Sequence, residues 1–231
     1  MDDNEIADCI NAFAQRAEDA KALGFDAVEF HGAHGYLIDQ FFWDVTNEHT
    51  DNYGGSLEKR SQFAIEIIKE ARRRVGDDFP FILRFSQWKQ QDYTARLANT
   101  PEELERFLLP LSDAGVDIFH ASTRRFWEPE FEGSDLNLAG WTKKITGKPT
   151  ITVGSVGLST DFIESNFLDQ KGSDVPLRQL DDLLTRMTND EFDLVAVGRA
   201  LLQDPEWILK VKQGRLDELE EYNKVSVGKL Y

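Results

Sequence analysis

The sequence predicts an α/β fold of parallel βα units, and two observations carry that expectation. Short apolar runs of strand length recur five times, at 25–30, 79–85, 117–121, 149–153 and 192–197. Between them lie stretches with helical periodicity, and strict alternation of strand and helix is the pattern of parallel neighbours joined by crossover helices. Each run reads as a strand buried on both faces, because a parallel sheet is covered by helices.

The elements follow in order. Residues 5–23 place Ile6, Ile10, Phe13, Ala14, Ala17 and Ala20 at helical spacing, and Gly24 stands where a helix ends. A second helix is expected over 56–75, with Leu57, Phe63, Ile67, Ile68 and Ala71 on one face and Arg72-Arg73-Arg74 at its end. A third, over 100–114, opens with Thr100 as N-cap, Pro101 at the first helical position and Glu102 and Glu103 in the first turn. Shorter helices are expected near 138–145 and over 176–188, and a last one follows Asp204-Pro205-Glu206. The stretch 170–176 reads as a polar loop.

Composition narrows the partners. The 231 residues are 41% hydrophobic and 29% charged, which suits one domain or part of a larger one. A net charge of −16, from 42 acidic against 26 basic residues, repels phosphate backbones and anionic lipid, so neither nucleic acid nor membrane is expected as a partner. The single cysteine, Cys9, permits no intrachain disulfide and no cysteine metal cluster. With a polar, acidic N-terminus and no run of apolar residues long enough to span a bilayer, the expected location is cytoplasmic.

The most informative segment is His31-Gly32-Ala33-His34-Gly35-Tyr36, two imidazoles and a phenol expected in a Gly-rich turn just after the first strand. Such a strand end looks like the rim of an active site. The two histidines admit three readings: donors to a polarised oxygen, ordinary polar residues at a strand end, or a metal pair. Tyr36 is either a proton donor, since a phenol keeps its proton at neutral pH, or a packed aromatic. Arg84 falls near the end of the second strand, where a buried charge needs a polar partner or a salt bridge. Gly154, Ser155, Val156 and Gly157 follow the fourth strand, and Gly198 and Arg199 the fifth; backbone N–H groups with one arginine suit an anion. Asp51 to Arg60 contains the turn Tyr53-Gly54-Gly55-Ser56, read as architecture capping the next helix. Arg124-Arg125-Phe126-Trp127 follows the strand bearing His120, and reads equally as a substrate wall or as loop packing.

In that order and at those distances, these motifs resemble the Old Yellow Enzyme family of NADH:flavin oxidoreductases over nearly the whole chain. The resemblance implies a (β/α)8 TIM-barrel type fold, present as a partial barrel: residues 1–231 form one domain of five βα units matching family strands four to eight, without the first three units. Strand starts lie about 42 residues apart, so eight units would need roughly 330 residues. The implied activity is FMN-dependent ene-reduction, with hydride passing from NADH or NADPH through the flavin to the C=C bond of an α,β-unsaturated carbonyl compound or a nitroalkene. His31 and His34 would hold the activating oxygen, Tyr36 would protonate carbon, Arg84 would face the flavin pyrimidine, and Gly154, Ser155, Val156, Gly157, Gly198 and Arg199 would hold the phosphate. Trp127 would line the substrate site. The competing expectation is a truncated or split-barrel fragment, not catalytic alone and weak in FMN binding, whose partner is a second copy or a complementing N-terminal segment.

Overall fold

The structure, a computed structural model, describes residues 1–158 and 176–228. The described elements run α1 (Asp3–Ala22), β1 (Val28–His34), α2 (Leu37–Phe42), α3 (Leu57–Arg60), α4 (Gln62–Val75), β2 (Phe81–Lys89), α5 (Pro101–Ala114), β3 (Ile118–Ser122), α6 (Leu138–Thr146), β4 (Thr150–Val153), α7 (Pro176–Thr188), β5 (Leu194–Ala196), α8 (Arg199–Gln203) and α9 (Trp207–Lys212). Two 3₁₀ turns, Leu216–Glu218 and Lys224–Gly228, follow. The five strands form one parallel sheet in sequence order, so β1 and β5 are its edges among the described residues. This is a parallel α/β fold consistent with part of a (β/α)8 barrel. No helix among the described residues is long and apolar enough to cross a membrane.

Local chemistry explains most boundaries. Asp2 caps α1 through a reciprocal box with Glu5, and the Thr100 hydroxyl accepts from Glu103 N–H at the start of α5. Asn137 caps α6 by accepting from Gly140 N–H. The helix expected over 56–75 is interrupted at Ser61, whose hydroxyl turns back to donate to Leu57 C=O. Ser56 occupies the N-cap position of α3 but makes no side-chain cap bond there. What pins the preceding turn is Arg60, which donates to Phe42 C=O and Gly55 C=O, each at 2.7 Å. The polar stretch 170–176 lies outside the described residues apart from Pro176, which begins α7.

Four strand expectations need correction. β1 starts at Val28, not residue 25, because Phe25 is 63% exposed in the turn that leaves α1. It then runs on through His34, so the histidines belong to the strand itself rather than to the turn after it. β2 likewise continues to Lys89, which puts Arg84 in mid-strand. The strands are also not sealed on both faces. Phe30, Phe81, Leu83, Phe85, Phe119 and Ala121 are buried, and they form the face that meets the helices: Phe85 lies against Phe107 of α5, and the Arg72 guanidinium of α4 sits 3.9 Å over the Phe81 ring. On the alternate positions Glu29, His31, Ile82, Arg84 and Ile151 are only partly buried or exposed, and Leu194 is half exposed.

Arg72 also ties the N-terminal strand ends together. It donates to Phe79 C=O, Gly115 C=O and the Asp117 carboxylate, whose Oδ2 accepts Phe81 N–H in turn.

Candidate active site

Parallel register sets the site. His31 pairs with Arg84, Arg84 with His120, His120 with Ile151 and Ile151 with Leu194, one row across the sheet on the face away from the helices. One step toward the C-terminal strand ends, Ser86, Ser122, Val153 and Ala196 form the next row. The His31 ring lies 5.1 Å from the His34 ring and 5.2 Å from the Tyr36 ring, so the structure brings the three proton-handling groups together. Tyr36 is 54% exposed.

The turn that presents them is held from every side. Between Gly32 and His34 the β1–β2 register slips, and His34 adopts a φ of +64°, unusual for a residue with a side chain. Its N–H donates to Ser86 Oγ at 3.0 Å and its C=O accepts from Gln90 N–H. Gly35 has φ +78°, a conformation that favours glycine. Its N–H donates to Asp39 Oδ2 at 2.7 Å, and its C=O accepts from Gln40 Nε2 at 2.9 Å. Asp39 is completely buried, as is the side chain of Lys89, whose Nζ donates to Asp39 Oδ1. Burial pushes the Asp39 carboxyl up and the Lys89 ammonium down, each against the attraction of the other.

Burial and the charge of Arg84 hold His31 and His34 neutral. Burial, then the charge of Arg84 and the neighbouring His31, His120 and Lys89, lower His34 to about 3. His31 is lowered as well, by burial and Arg84, with Glu29 opposing. Burial raises the Glu29 carboxyl, but its 2.7 Å hydrogen bond with His120 Nδ1 and the nearby Arg84 guanidinium outweigh this and leave it below the usual carboxylate range. Among the described residues, no group of three or more His, Cys, Asp and Glu could hold a metal.

Arg84 donates to Ser122 Oγ at 3.3 Å, and its Nε is buried without a hydrogen-bond partner. A cavity of about 220 Å³ runs from Arg84 and His34 past Ser122 to Gly154, Ser155, Val156, Gly198 and Arg199. At its far end Gly154 has φ +147°, and a Cβ there would fall within 3 Å of the Thr123 and Arg125 backbone. Arg199 reaches Ser155 Oγ at 3.5 Å. An orphan guanidinium N–H at one end and a glycine cradle with an arginine at the other suit an elongated ligand with a hydrogen-bonding ring and an anionic tail, so the side chains present fit FMN. Gly157 is packed on Trp207, where a Cβ would come within 2.7 Å of the indole.

Trp127 does not join this site: it packs edge-on against Phe126 and lies outside the cavity lining. The aromatic wall comes instead from Trp88, stacked on His34 at 4.5 Å, and Tyr93, stacked on Trp88 at 5.2 Å, with the Arg124 guanidinium over Tyr93. Trp88 and Ser122 lie at even offsets from Arg84 and His120 along their strands, so period-two alternation beyond the apolar runs is the signal that could have found them. Asp39 and Lys89 carry no such local signal.

A parallel sheet whose polar face leads to His34, Tyr36 and Ser122 at the C-terminal strand ends is the arrangement of barrel-type enzymes. The model of the NADH:flavin oxidoreductase / NADH oxidase family matches residues 1–166, and the chain belongs to that family, the Old Yellow Enzyme family. It is 36% identical over 233 residues to the NADH oxidase of Thermoanaerobacter brockii, covering 97% of this chain and 32% of that protein. It is 32% identical to the cinnamate reductase of Clostridium sporogenes, over 93% of this chain and 32% of that protein. With an NADPH dehydrogenase of Clostridium acetobutylicum the identity is 30%, over 96% and 60%. The solved structure of morphinone reductase in complex with tetrahydroNAD superposes with a TM-score of 0.72 at 22% identity, covering 98% of this chain and 53% of that one, which supports the fold. The chain thus spans between about a third and three fifths of these proteins.

Proposed function

We propose that this chain carries the substrate-activating and phosphate-holding part of an FMN-dependent ene-reductase acting on α,β-unsaturated carbonyl compounds or nitroalkenes. The observation that carries the reading is the convergence of His31, His34 and Tyr36 at the end of β1, with Arg84 beside His31 in the same row of the sheet. Bound FMN would supply hydride taken from NADH or NADPH. Neutral His31 and His34 offer N–H donors to an oxygen on which negative charge develops, and neutral donors do so without competing for a proton. Tyr36, exposed beside His31, gives its phenolic proton to carbon. Arg84, with its unpartnered Nε, binds the polar edge of the ring, while the backbone at Gly154, Ser155 and Gly198, together with Arg199, holds the phosphate.

The test separates two half-reactions. In the FMN-loaded protein, Tyr36→Phe is expected to leave reduction by NADH or NADPH within about threefold of wild type and to slow alkene reduction by about 10² or more. Equal loss in both half-reactions, measured by stopped-flow absorbance, makes Tyr36 structural and sinks the acid role.

A second reading rests on the open sheet. Among the described residues β1 and β5 are unpaired on their outer edges, so this five-stranded sheet by itself depends on further strands, from a second copy or a complementing segment, to close. It then binds FMN only at micromolar concentrations or weaker, and sediments as an oligomer. A compact monomer with tightly bound FMN and full activity overturns this reading.

A further inference from the structure

Ser122 is 2% exposed and stands between two residues given separate roles above. Arg84 Nη2 reaches Ser122 Oγ at 3.3 Å, and His34 Nε2 reaches the same oxygen at 2.8 Å. A guanidinium carries only donors, so Arg84 gives an N–H to a lone pair of the Ser122 oxygen. A neutral imidazole carries one N–H and one bare nitrogen, and His34 is held neutral by burial and by Arg84. Two arrangements of protons are then open. If Nε2 carried the proton, Ser122 Oγ would accept twice and its own buried hydroxyl proton would point at no acceptor among its contacts, a costly arrangement. If Nε2 is bare, the hydroxyl proton goes to it and the Ser122 hydroxyl is satisfied both as donor and as acceptor.

The ring cannot evade this choice by turning. Trp88 lies face to face with the imidazole at 4.5 Å and 19°, which fixes its plane. A half-turn within that plane's constraint would bring carbon rather than nitrogen to Ser122 and forfeit the 2.8 Å bond.

We infer that Ser122 is a positioning residue that fixes His34 as the Nδ1–H tautomer, so that Nδ1–H is the hydrogen bond His34 offers to the substrate oxygen. The donor role rests on the ene-reductase reading; the tautomer does not. The relay runs from Arg84 through Ser122 to His34, and donation by a cation polarises the hydroxyl and strengthens its bond to Nε2. It therefore joins the residue set at the cofactor edge to one set at the substrate.

Long-range ¹H–¹⁵N correlation on histidine-labelled protein reads the tautomer directly, with His34 assigned by its loss in His34→Asn. In wild type the expected spectrum has a protonated Nδ1 and a bare Nε2. Ser122→Ala is expected to move His34 to a mixture or to Nε2–H, and Ser122→Thr, which keeps the hydroxyl, to restore Nδ1–H. A proton on Nε2 in wild type, or a tautomer unmoved in Ser122→Ala, overturns the inference. The functional arm uses FMN-loaded protein and a para-substituted phenol, whose phenolate gives a charge-transfer band over oxidised flavin. Ser122→Ala is expected to weaken that complex about tenfold, the scale of one hydrogen bond, and Ser122→Thr to recover it. A band lost in His31→Ala but of unaltered affinity in Ser122→Ala overturns the donor role. If wild type gives no band at all, the ene-reductase reading has failed, and the tautomer spectrum still decides what Ser122 does.

Discussion

The two faces of the sheet are built from neighbouring residues of the same strands, yet they are different materials. In β2, Phe81, Leu83 and Phe85 point to the helices and are completely buried, while Ile82 and Arg84 between them remain partly exposed. The helix face is held by aromatic packing that continues from Phe85 to Phe107 and on to Phe42. The other face is held by directional bonds: Glu29 to His120, Arg84 to Ser122, Ser122 to His34. Non-directional burial tolerates imperfect placement, whereas proton-handling groups need fixed orientation. The division therefore lets one strand supply stability and chemistry at alternate positions.

Truncation on each face is the strongest test of that division. Phe85→Ala is expected to cost about 3–5 kcal/mol, since it empties space sealed by Phe107 and Phe119. Ile82→Ala, on the other face of the same strand, is expected to cost less than about 1.5 kcal/mol because its side chain is already partly in water. Urea unfolding of the two variants measures both. Equal losses would mean that the polar face is as important to stability as the apolar one.

The Asp39–Lys89 pair sharpens the comparison, because it is a charged interaction fully buried beneath the turn that carries His34 and Tyr36. Asp39→Ala is expected to cost about 3–5 kcal/mol by stranding a buried ammonium. The double change Asp39→Asn with Lys89→Met removes both charges and keeps an acceptor for Gly35 N–H, so its cost is expected to stay within about 1 kcal/mol of zero. If the double variant is as unstable as Asp39→Ala, the ionic pair itself is stabilising, and the penalty does not come from an unpaired charge.

The helix face was legible in the sequence and the polar face only in part, for a physical reason. Apolar periodicity reports burial, so α5 with its Thr100 cap and α7 from Pro176 to Thr188 fell where expected. It goes silent where a strand becomes polar. The ends of β1 and β2 were therefore cut short, at Phe30 and Phe85, and the continuation of each into His34 and Lys89 went unread. His31, His34, Tyr36 and Arg84 stood out through motif and resemblance. Ser122 and Trp88 did not, because they meet His34 only once the strands have paired, and Trp127 was read as a candidate substrate wall from its place after the strand bearing His120. Asp39 and Lys89 are 50 residues apart and meet only after β1 and β2 have paired.

The smallest effect tests whether the polar face really holds its imidazoles neutral. His34 is lowered to about 3 by burial and by Arg84, whereas an unfolded histidine titrates near 6.5. Between those values the unfolded chain binds a proton that the folded chain refuses, so stability rises with pH across the window and drains away as pH falls from about 6.5 toward 3. Above about 6.5 both states are neutral and His34 contributes no slope. One such group gives at most about 1.4 kcal/mol per pH unit. Between pH 7 and pH 5 the urea midpoint of wild type is therefore expected to fall more steeply than that of His34→Asn, which has nothing to protonate. Phe85→Ala, a lesion on the opposite face, is expected to start lower but keep the wild-type slope. Should His34→Asn show that same slope, His34 takes up its proton as readily in the native state as in the unfolded chain, and the claim that burial and Arg84 hold it neutral fails.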